Sequence, residues 1–431
     1  MITTLNNCKL ADGQITNIVI ENGIIKSIGR AQAADQTIDI KNNLVIPGVI
    51  DTHVHFREPG GEHKEDWLTG SRAAVSGGVT TVIDMPNNNP PVIDQASLDI
   101  KKQLAKKSLC NYGFFIGATT DNIEDLRSVT NTAGIKIYVG SSTGTLLVDK
   151  DKDIEKIFGL KDKIFALHAE DEDVIKINLD KYSNDNNPAV HSKIRNPLAA
   201  AKALGRMIDL AKKTDARIHI CHISTKEEIA IIKKAKDQGI NITCEVSPHH
   251  LFLNQTAYQN QDNFVKVNPP LRSDDNNSVL WQAIKLGIID TIATDHAPHT
   301  IDEKQQPYNE APAGIPEVET SLPLLLNQVN IGNLELSKLI ELTSKNPAAL
   351  FNIKNKGLIQ PGYDADLTVV DMSLKRNIQK KYLYTKCGWS PYEGWELTGW
   401  PVMTFVNGHL TYNNGKINDK YKGKEIKYGK I

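Results

Sequence analysis

Apolar and polar positions near the start of the chain alternate over short runs, and turn signals separate those runs. Residues 15–20 (ITNIVI) form a strand-like run, Glu21–Asn22–Gly23 is typical of a hairpin turn, and residues 24–28 (IIKSI) form a second run. Residues 1–48 are therefore predicted to be an all-β segment.

From residue 49 to residue 354 the pattern changes to short apolar runs that alternate with helical stretches, such as 199–214 and 225–238. Eight units of a strand followed by a helix, over roughly 300 residues, predict a (β/α)₈ TIM-like barrel of the α/β class. The eight predicted strands are 49–53, 80–84, 113–117, 135–138, 164–168, 218–222, 242–246 and 291–295.

The pattern becomes β-rich again beyond residue 355, where residues 366–370, 403–406 and 409–412 are predicted strands. A chain of 431 residues exceeds the size of most single cores, so a large domain with a smaller one is expected. We expect residues 1–48 and 355–431 to meet in a small β-sandwich domain beside a barrel domain at 49–354.

Composition narrows the classes of partner and compartment. Lysine and arginine number 50 and aspartate and glutamate 51, so no charge excess favours nucleic acid or an anionic membrane. The five cysteines are scattered and never form a CxxC pair, which argues against a disulfide framework or a cysteine-type zinc site. The first residues lack a signal-peptide pattern and no apolar run reaches membrane-spanning length, so a cytoplasmic protein is expected.

Polar side chains recur where the predicted barrel strands end, which is where βα loops converge and barrel enzymes build their active sites. His53 and His55 share one side of the first strand, because side-chain direction repeats every two residues. Four histidines and an aspartate on one rim are a ligand set suited to zinc. The candidate metal-binding residues are His53, His55, Lys136, His168, His222 and Asp295.

A lone histidine at a strand end is more often structural than a ligand. We interpret His63, His191, His219 and His409 in this way, and we expect His249–His250 to line the site without touching metal.

Lys136 needs a separate interpretation, because an ammonium group cannot ligate a cation. One alternative is a lysine paired with a carboxylate on the rim. The other is carbamylation by CO₂, which converts the amine into an anion able to bridge two metals.

Several motifs point to a known family. Residues 51–60 (DTHVHFREPG), 85–91 (MPNNNPP) and 294–300 (TDHAPHT) resemble signatures of the dihydroorotases, of the longer, class I-like type, within the amidohydrolase superfamily. The resemblance runs nearly end to end, through residues 168–170 (HAE), 221–224 (CHIS), 247–251 (SPHHL), 267–271 (VNPPL) and 361–367 (PGYDADL).

The resemblance implies a barrel with a small β-sandwich made from both chain ends. It also implies the reversible cyclisation of N-carbamoyl-L-aspartate to L-dihydroorotate and water, in de novo pyrimidine (UMP) synthesis. Two zinc ions per subunit are implied, bridged by hydroxide. His53 and His55 would hold the first zinc, His168 and His222 the second, and Asp295 would ligate the first and move the proton.

Members of this family differ at the protein ligand that bridges the two metals. Some carry a carbamylated lysine on strand 4, and others an aspartate just after it. Residues 134–144 (GIKIYVGSSTG) contain no aspartate, and Asp149 lies too far along the chain. This favours carbamylated Lys136 as the bridge.

The implied substrate carries a carboxylate, so a cation is expected near the metals. Arg57 follows His55 by two residues and suits a bidentate grip; the alternative is a structural salt bridge with Glu58. The resemblance adds Asn87, Asn268 and His299 as substrate-binding residues. It also implies that the polar loop 301–314 closes over the substrate, with the backbone of Ala313 and Gly314 touching it.

Two alternative functions and the assembly state of the protein remain open. Hydantoinases, dihydropyrimidinases and allantoinases share the same ligand set, and Arg57 with Asn87 and His299 argues against them. A non-catalytic homologue that supports aspartate transcarbamoylase is the other alternative, although such homologues lack metal ligands that this chain retains. We expect a homodimer, as is common in the family, and a possible association with aspartate transcarbamoylase.

Overall fold

The computed structural model describes residues 1–30, 32–140 and 146–429. The predicted strand, hairpin and strand near the start are confirmed: the second and third strands pair antiparallel, and the turn at Asn22–Gly23 has positive φ angles of 54° and 86°. The first five strands are β1 (Ile2–Lys9), β2 (Ile15–Glu21), β3 (Ile24–Gly29), β4 (Gln36–Asp39) and β5 (Leu44–Pro47).

The predicted (β/α)₈ barrel is confirmed. Its eight strands form one sheet in chain order, and a parallel bridge between Val54 and His296 joins the first strand to the residues after the last. The strands are β6 (Val49–Val54), β7 (Val79–Asp84), β8 (Asn111–Gly117), β9 (Gly134–Val139), β10 (Ile164–Ala169), β11 (Arg217–Ile220), β12 (Ile242–Val246) and β13 (Thr291–Ile292).

Two barrel strands are shorter than predicted. β11 ends at Ile220 instead of residue 222, and β13 ends at Ile292 instead of residue 295. His222 and Asp295 have φ angles of 36° and 51°, in the left-handed region that residues other than glycine seldom adopt. A left-handed residue cannot continue a β ladder, so both side chains lie just beyond their strands.

Helices surround the barrel, and the two predicted ones are observed as α7 (Pro197–Thr214) and α8 (Lys226–Asp237). None of the described helices combines the length with the apolar character that a bilayer span requires. The others are α1 (Trp67–Ser76), α2 (Gln95–Ala105), α3 (Ile123–Ser128), α4 (Asp151–Phe158), α5 (Glu172–Lys181), α6 (His191–Ile194), α9 (Pro248–Phe252), α10 (Tyr258–Gln261), α11 (Asp274–Lys285), α12 (Ile301–Lys304), α13 (Ser321–Asn330), α14 (Leu336–Ile340) and α15 (Asn346–Leu350). Short 3₁₀ helices span Pro188–Val190, Gln255–Ala257, Asp262–Val265 and Lys380–Tyr382, and a π-helical turn spans Glu341–Lys345.

The two chain ends meet in one sheet, as predicted. Leu367 pairs with Pro47, so a strand that follows the barrel lies antiparallel to β5, which precedes it. The apolar side chains of this sheet, among them Leu5, Val45 and Phe405, form their own buried cluster. The later strands are β14 (Leu367–Asn377), β15 (Glu396–Val406), β16 (His409–Asn413) and β17 (Lys416–Ile417).

Phe56 follows the end of β6, and its packing fixes the backbone at this point. Phe56 is fully buried and packs edge-on against Trp67 at 5.2 Å between ring centroids. Its backbone N–H donates to Asp84 at 2.7 Å, and Asp84 forms an ion pair with the fully buried Lys101. The residue between His55 and Arg57 is thus fixed on two sides, which orients both neighbours.

Candidate active site and metal centre

The predicted metal ligands come together at the carboxyl end of the barrel. His53, His55, Lys136, His168, His222 and Asp295 all line one cavity of about 30 Å³. Arg57, Asn87, Asn268, Ala313 and Gly314 line the same cavity. His299 lies in an adjoining pocket of about 390 Å³, whose walls also include His55, Arg57 and Asn87.

The two imidazoles of the HxH motif face Asp295 through the same ring atom. The Nε2 atoms of His53 and His55 lie 3.3 Å and 3.0 Å from Asp295 Oδ1. Their Nδ1 atoms are hydrogen-bonded behind, to Glu245 Oε1 at 2.5 Å for His53 and to Asn87 Oδ1 at 2.7 Å for His55. A second hydrogen bond of this kind fixes the tautomer in metal-binding histidines and leaves Nε2 as the ligand atom.

His168 and His222 form a second pair beside the first. His168 Nδ1 lies 3.1 Å from His222 Nε2, and the His222 ring centroid is 5.4 Å from that of His53. The Nδ1 atom of His222 is buried and accepts or donates no hydrogen bond within the described part of the chain. Behind His168, Glu170 Oε2 lies 3.2 Å from Nε2 and forms an ion pair with Arg195.

The electrostatic surroundings of His53 differ from those of His55 and His222. Burial lowers the pKa of His55 to about 4, and burial together with His168 and Lys136 holds the pKa of His222 well below its ordinary value. Burial and Lys136 also oppose a charge on His53, but Glu245 and Asp295 outweigh them and raise its pKa to about 10. The site thus favours neutral rings at His55 and His222, while the carboxylates of Glu245 and Asp295 favour a positive charge on the His53 ring.

The donor set fits divalent metal ions. Ligand atoms of His53, His222 and Asp295 lie within 4.8 Å of one another, and His55 and His168 point further nitrogen atoms at the same cavity. Imidazole nitrogen and carboxylate oxygen are the donors that zinc and similar ions prefer. These residues form a candidate metal-binding group.

Lys136 lies fully buried among the histidines. Its Nζ is 3.0 Å from Cys221 Sγ and 5.2 Å from the centre of the Tyr138 ring. Among the described residues, no carboxylate forms an ion pair with Lys136, so no contact supports the first alternative, a lysine paired with a carboxylate on the rim.

The stretch after β9 bears on the bridging ligand as well. Residues 141–144, which contain no aspartate, lie outside the described residues. Asp149 forms an ion pair with Arg206 at 3.1 Å and does not line the cavity.

Arg57 has no carboxylate partner in the structure as described. Its Nε donates to the Pro298 carbonyl at 3.0 Å, and Nη2 lies 3.1 Å from His299 Nε2. Glu58 instead forms an ion pair with Lys107 at 2.8 Å, so the alternative of an Arg57–Glu58 salt bridge is wrong. Arg57 has a φ angle of 65°, a left-handed conformation that turns its side chain into the cavity wall and is often found at functional sites.

His299 connects Arg57 to the segment that ends at Gly314. Lys64 Nζ lies 3.1 Å from His299 Nδ1, and the Ala313 carbonyl lies 3.1 Å from Nε2. Burial and Arg57 hold the pKa of His299 well below its ordinary value, which favours the neutral ring. Asn268, on the opposite wall, accepts from His191 Nε2 at 2.8 Å.

Five further histidines lie outside the candidate ligand set. His63 is largely exposed, and His409 stacks on Tyr421 at 3.8 Å, as expected of structural residues. His191 and His219 are structural too, but they support the site, since His219 donates to the same Glu245 that accepts from His53. His249 pairs with the buried Glu317 at 2.9 Å and does not line the cavity.

Four residues of the site were missed by the sequence analysis: Glu170, Cys221, Glu245 and Tyr138. Glu245 and Glu170 are carboxylates buried to 1% and 0% exposure at the ends of apolar strands, and ionisable residues are almost never so buried without a partner. A glutamate at the end of a predicted barrel strand is visible in the sequence, and this signal could have identified both residues as supports for the histidines.

The amidohydrolase family model matches residues 44–411 of this chain. A dihydroorotase from Methanosphaera stadtmanae is 40% identical over 432 residues, covering 97% of either chain. The chain belongs to the amidohydrolase family. A dihydroorotase from Pyrococcus abyssi is 37% identical and covers 98% of this amidohydrolase and 96% of the relative.

Solved structures of other amidohydrolases share the whole fold. An L-hydantoinase (dihydropyrimidinase) from Arthrobacter aurescens superposes with a TM-score of 0.94 at 27% identity, over 99% of either chain. A dihydropyrimidinase from Brevibacillus agri superposes with a TM-score of 0.93 at 26% identity, over 100% of this chain and 99% of that one. The barrel and the sheet from both chain ends are therefore common to cyclic amidohydrolases of different names.

Proposed function

We propose that this amidohydrolase is a dihydroorotase, which catalyses the reversible cyclisation of N-carbamoyl-L-aspartate to L-dihydroorotate and water in de novo pyrimidine synthesis. The observation that carries the proposal is Arg57, a guanidinium without a carboxylate partner among the described residues, placed beside the candidate metal ligands. The relatives named dihydroorotase match nearly the full chain and support the same activity.

We propose two zinc ions as the cofactor. His53, His55 and Asp295 would hold the first, His168 and His222 the second, and carbamylated Lys136 would bridge them. Bound at these residues, the ions would act as Lewis acids that polarise an amide carbonyl and lower the pKa of water. Carbamylation would join the neutral Lys136 amine to CO₂ with loss of one proton, after the ammonium form has lost another, so that an anionic carbamate would replace an ammonium group.

Asp295 is proposed to hold and move the proton. Its carboxylate lies 3.0 Å from His55 Nε2 and is 13% exposed, which leaves it open to the cavity. In ring opening, Asp295 takes a proton from the attacking water and passes it to the leaving ring nitrogen. In ring closure it starts protonated, so we expect cyclisation to be favoured at lower pH and ring opening at higher pH.

Substrate binding is proposed to involve both cavities. The substrate carboxylate would lie in the pocket of about 390 Å³, where Arg57 offers two parallel N–H donors and Asn87 and His299 lie alongside. The reacting amide would face the inner cavity, bounded by Asn268 and by the backbone of Ala313 and Gly314.

A hydantoinase or dihydropyrimidinase is the second candidate, because the superposed structures carry those names. Their ring amides lack the carboxylate that Arg57 would bind, which makes this candidate the weaker one. A non-catalytic subunit that supports aspartate transcarbamoylase is weaker still, since the chain keeps the whole ligand set.

Further proposals concern the cellular location, the assembly and the domain boundaries of the enzyme. Five free, buried cysteines suit a reducing compartment, so we propose a cytoplasmic location. By the resemblance alone we propose a homodimer and an association with aspartate transcarbamoylase. We also propose that the barrel domain spans residues 49–354, since β5 ends at Pro47 and β6 begins at Val49.

A metal assay followed by a turnover assay separates the candidates. The purified protein is analysed for bound zinc, and then for hydrolysis of L-dihydroorotate, hydantoin and dihydrouracil. Zinc with L-dihydroorotate turnover supports the proposal. Zinc with turnover of the uncharged rings alone indicates the second candidate, and neither zinc nor turnover indicates the non-catalytic subunit.

A further inference from the structure

Two buried lysines contact the segment that joins β13 to α13, and one of them, Lys304, belongs to that segment. Lys304 is 1% exposed and Lys266 8% exposed, although lysine is rarely buried unless a carboxylate pairs with it. Glu303, the neighbour of Lys304, forms its ion pair with Lys64 at 2.9 Å. Within residues 1–30, 32–140 and 146–429, no carboxylate forms an ion pair with either buried lysine, so each has another role.

Lys304 is saturated by backbone carbonyl groups. Its Nζ donates to the carbonyl oxygens of Pro312 at 2.9 Å, Gly314 at 3.0 Å and Lys266 at 3.2 Å. An ammonium group has three N–H donors, so these three acceptors use all of them. One side chain thereby joins the backbone at Pro312 and Gly314 to the extended backbone at Lys266.

Lys266 repeats the arrangement a few residues away. Its Nζ donates to the carbonyl oxygens of Tyr308 and Ala311, each at 2.6 Å, and lies 4.3 Å from the centre of the Tyr308 ring. Burial and then Arg195 lower the pKa of Lys266 to about 8, and burial together with Lys266 and Arg57 holds the pKa of Lys304 well below its ordinary value.

These bonds reach the cavity wall directly. Gly314 N–H donates to the Lys266 carbonyl at 2.8 Å, and the Ala313 carbonyl lies 3.1 Å from His299 Nε2. His191 bonds to the Tyr308 hydroxyl at 3.0 Å and to Asn268 Oδ1 at 2.8 Å. The two pieces of backbone that bound the inner cavity, residues 313–314 and residue 268, are thus held at a fixed separation.

We propose that Lys266 and Lys304 are positioning residues for substrate binding, which hold residues 305–314 over the site by capping their carbonyl groups. The inference rests on the proposed function for the identity of the substrate, but not for the hold on the segment. Neither lysine touches the cavity, so both act through the backbone of Ala313 and Gly314.

The test compares K304M and K266M with K226M, a control in which an exposed lysine on α8 loses its ion pair with Asp275. Methionine keeps most of the side-chain length and removes the donors. Hydrogen exchange of residues 305–314 is measured without substrate, and zinc content, KM and kcat for L-dihydroorotate are measured on the same samples.

We expect faster exchange confined to residues 305–314 in both variants, unchanged zinc content, and a KM at least tenfold higher, with the larger effect on KM than on kcat. Unchanged exchange in both variants would overturn the proposal, as would exchange that rises across the whole chain in both, because the lysines would then stabilise the fold in general. If the wild type does not open L-dihydroorotate, the proposed function fails, while the exchange data still decide whether the lysines hold the segment.

Discussion

Glu245 accepts a hydrogen bond from Nδ1 of His53 across 2.5 Å, although 192 residues separate the two in the sequence. His219 donates to the other oxygen of the same carboxylate at 3.1 Å, so Glu245 is fully engaged behind the candidate metal centre. The geometry is that of a carboxylate which orients a metal-binding histidine and raises its basicity.

Replacing Glu245 by glutamine should weaken metal binding. We expect E245Q to bind zinc about 10- to 100-fold less tightly than the wild type, because the amide cannot hold His53 in the same tautomer with equal strength. Competition with a chelator measures the change, and E124Q, at an exposed site on α3, is the matched control. Equal zinc affinity in E245Q and the wild type would remove this role from Glu245.

Arg57 should determine substrate affinity rather than metal content. We expect R57M to raise KM for L-dihydroorotate by about 10- to 100-fold, as for the loss of charged hydrogen bonds, with zinc unchanged. R57K keeps the charge without the planar guanidinium, and its KM should lie between those of the wild type and R57M. Steady-state kinetics gives KM for each variant, and zinc analysis gives its metal content. Lost zinc in R57M would show that Arg57 is structural.

Gly314 has no room for a side chain. Its φ is 140°, and a Cβ atom would lie 2.5 Å from the Ala297 carbonyl oxygen. We expect G314A to lose about 1–3 kcal/mol of stability and most of its turnover, because the cavity wall must shift. G287A is the control, since Gly287 has a φ of 71° with open space around it, and similar thermal midpoints and turnover in the two variants would contradict the steric argument.

Glu319 should make stability depend on pH. Burial raises its pKa to about 8, against the opposing effect of hydrogen bonds from Tyr384 and Ser76. A carboxyl pKa that is higher in the folded state than in the unfolded state adds stability at low pH, and this is lost as pH rises from about 4.5 to 8. We expect E319Q to lose less stability than the wild type over that range in denaturant titrations, and parallel curves would refute the assignment.

Local patterns in the sequence were sufficient to predict the barrel and the rim of candidate ligands. Strand length and side-chain alternation are local properties, and the strand-end histidines follow from them together with the barrel geometry. The short β13 was not predicted, because the left-handed backbone of Asp295 is a local strain that apolar patterning does not encode.

Long-range pairing explains the other omissions. Glu245 and His53 meet only once the barrel closes, so neither position indicates the other in the sequence. Residues 301–314 were predicted to be a polar, mobile loop, yet Lys304 is almost fully buried because its amine meets three carbonyl groups. Patterning assigns a lysine to the surface and gives no sign of such acceptors. The domain boundaries at residues 48 and 355 stay a prediction.

The most direct test of the central claim is the ratio of kcat/KM for L-dihydroorotate to that for 5,6-dihydrouracil, measured with the zinc-loaded wild type and with R57M. The two rings differ in the carboxylate that Arg57 is proposed to bind. We predict a ratio well above one hundred in the wild type that falls by at least tenfold in R57M. A wild-type ratio near or below one, unaffected by R57M, would contradict the proposed substrate and favour a hydantoinase-like activity.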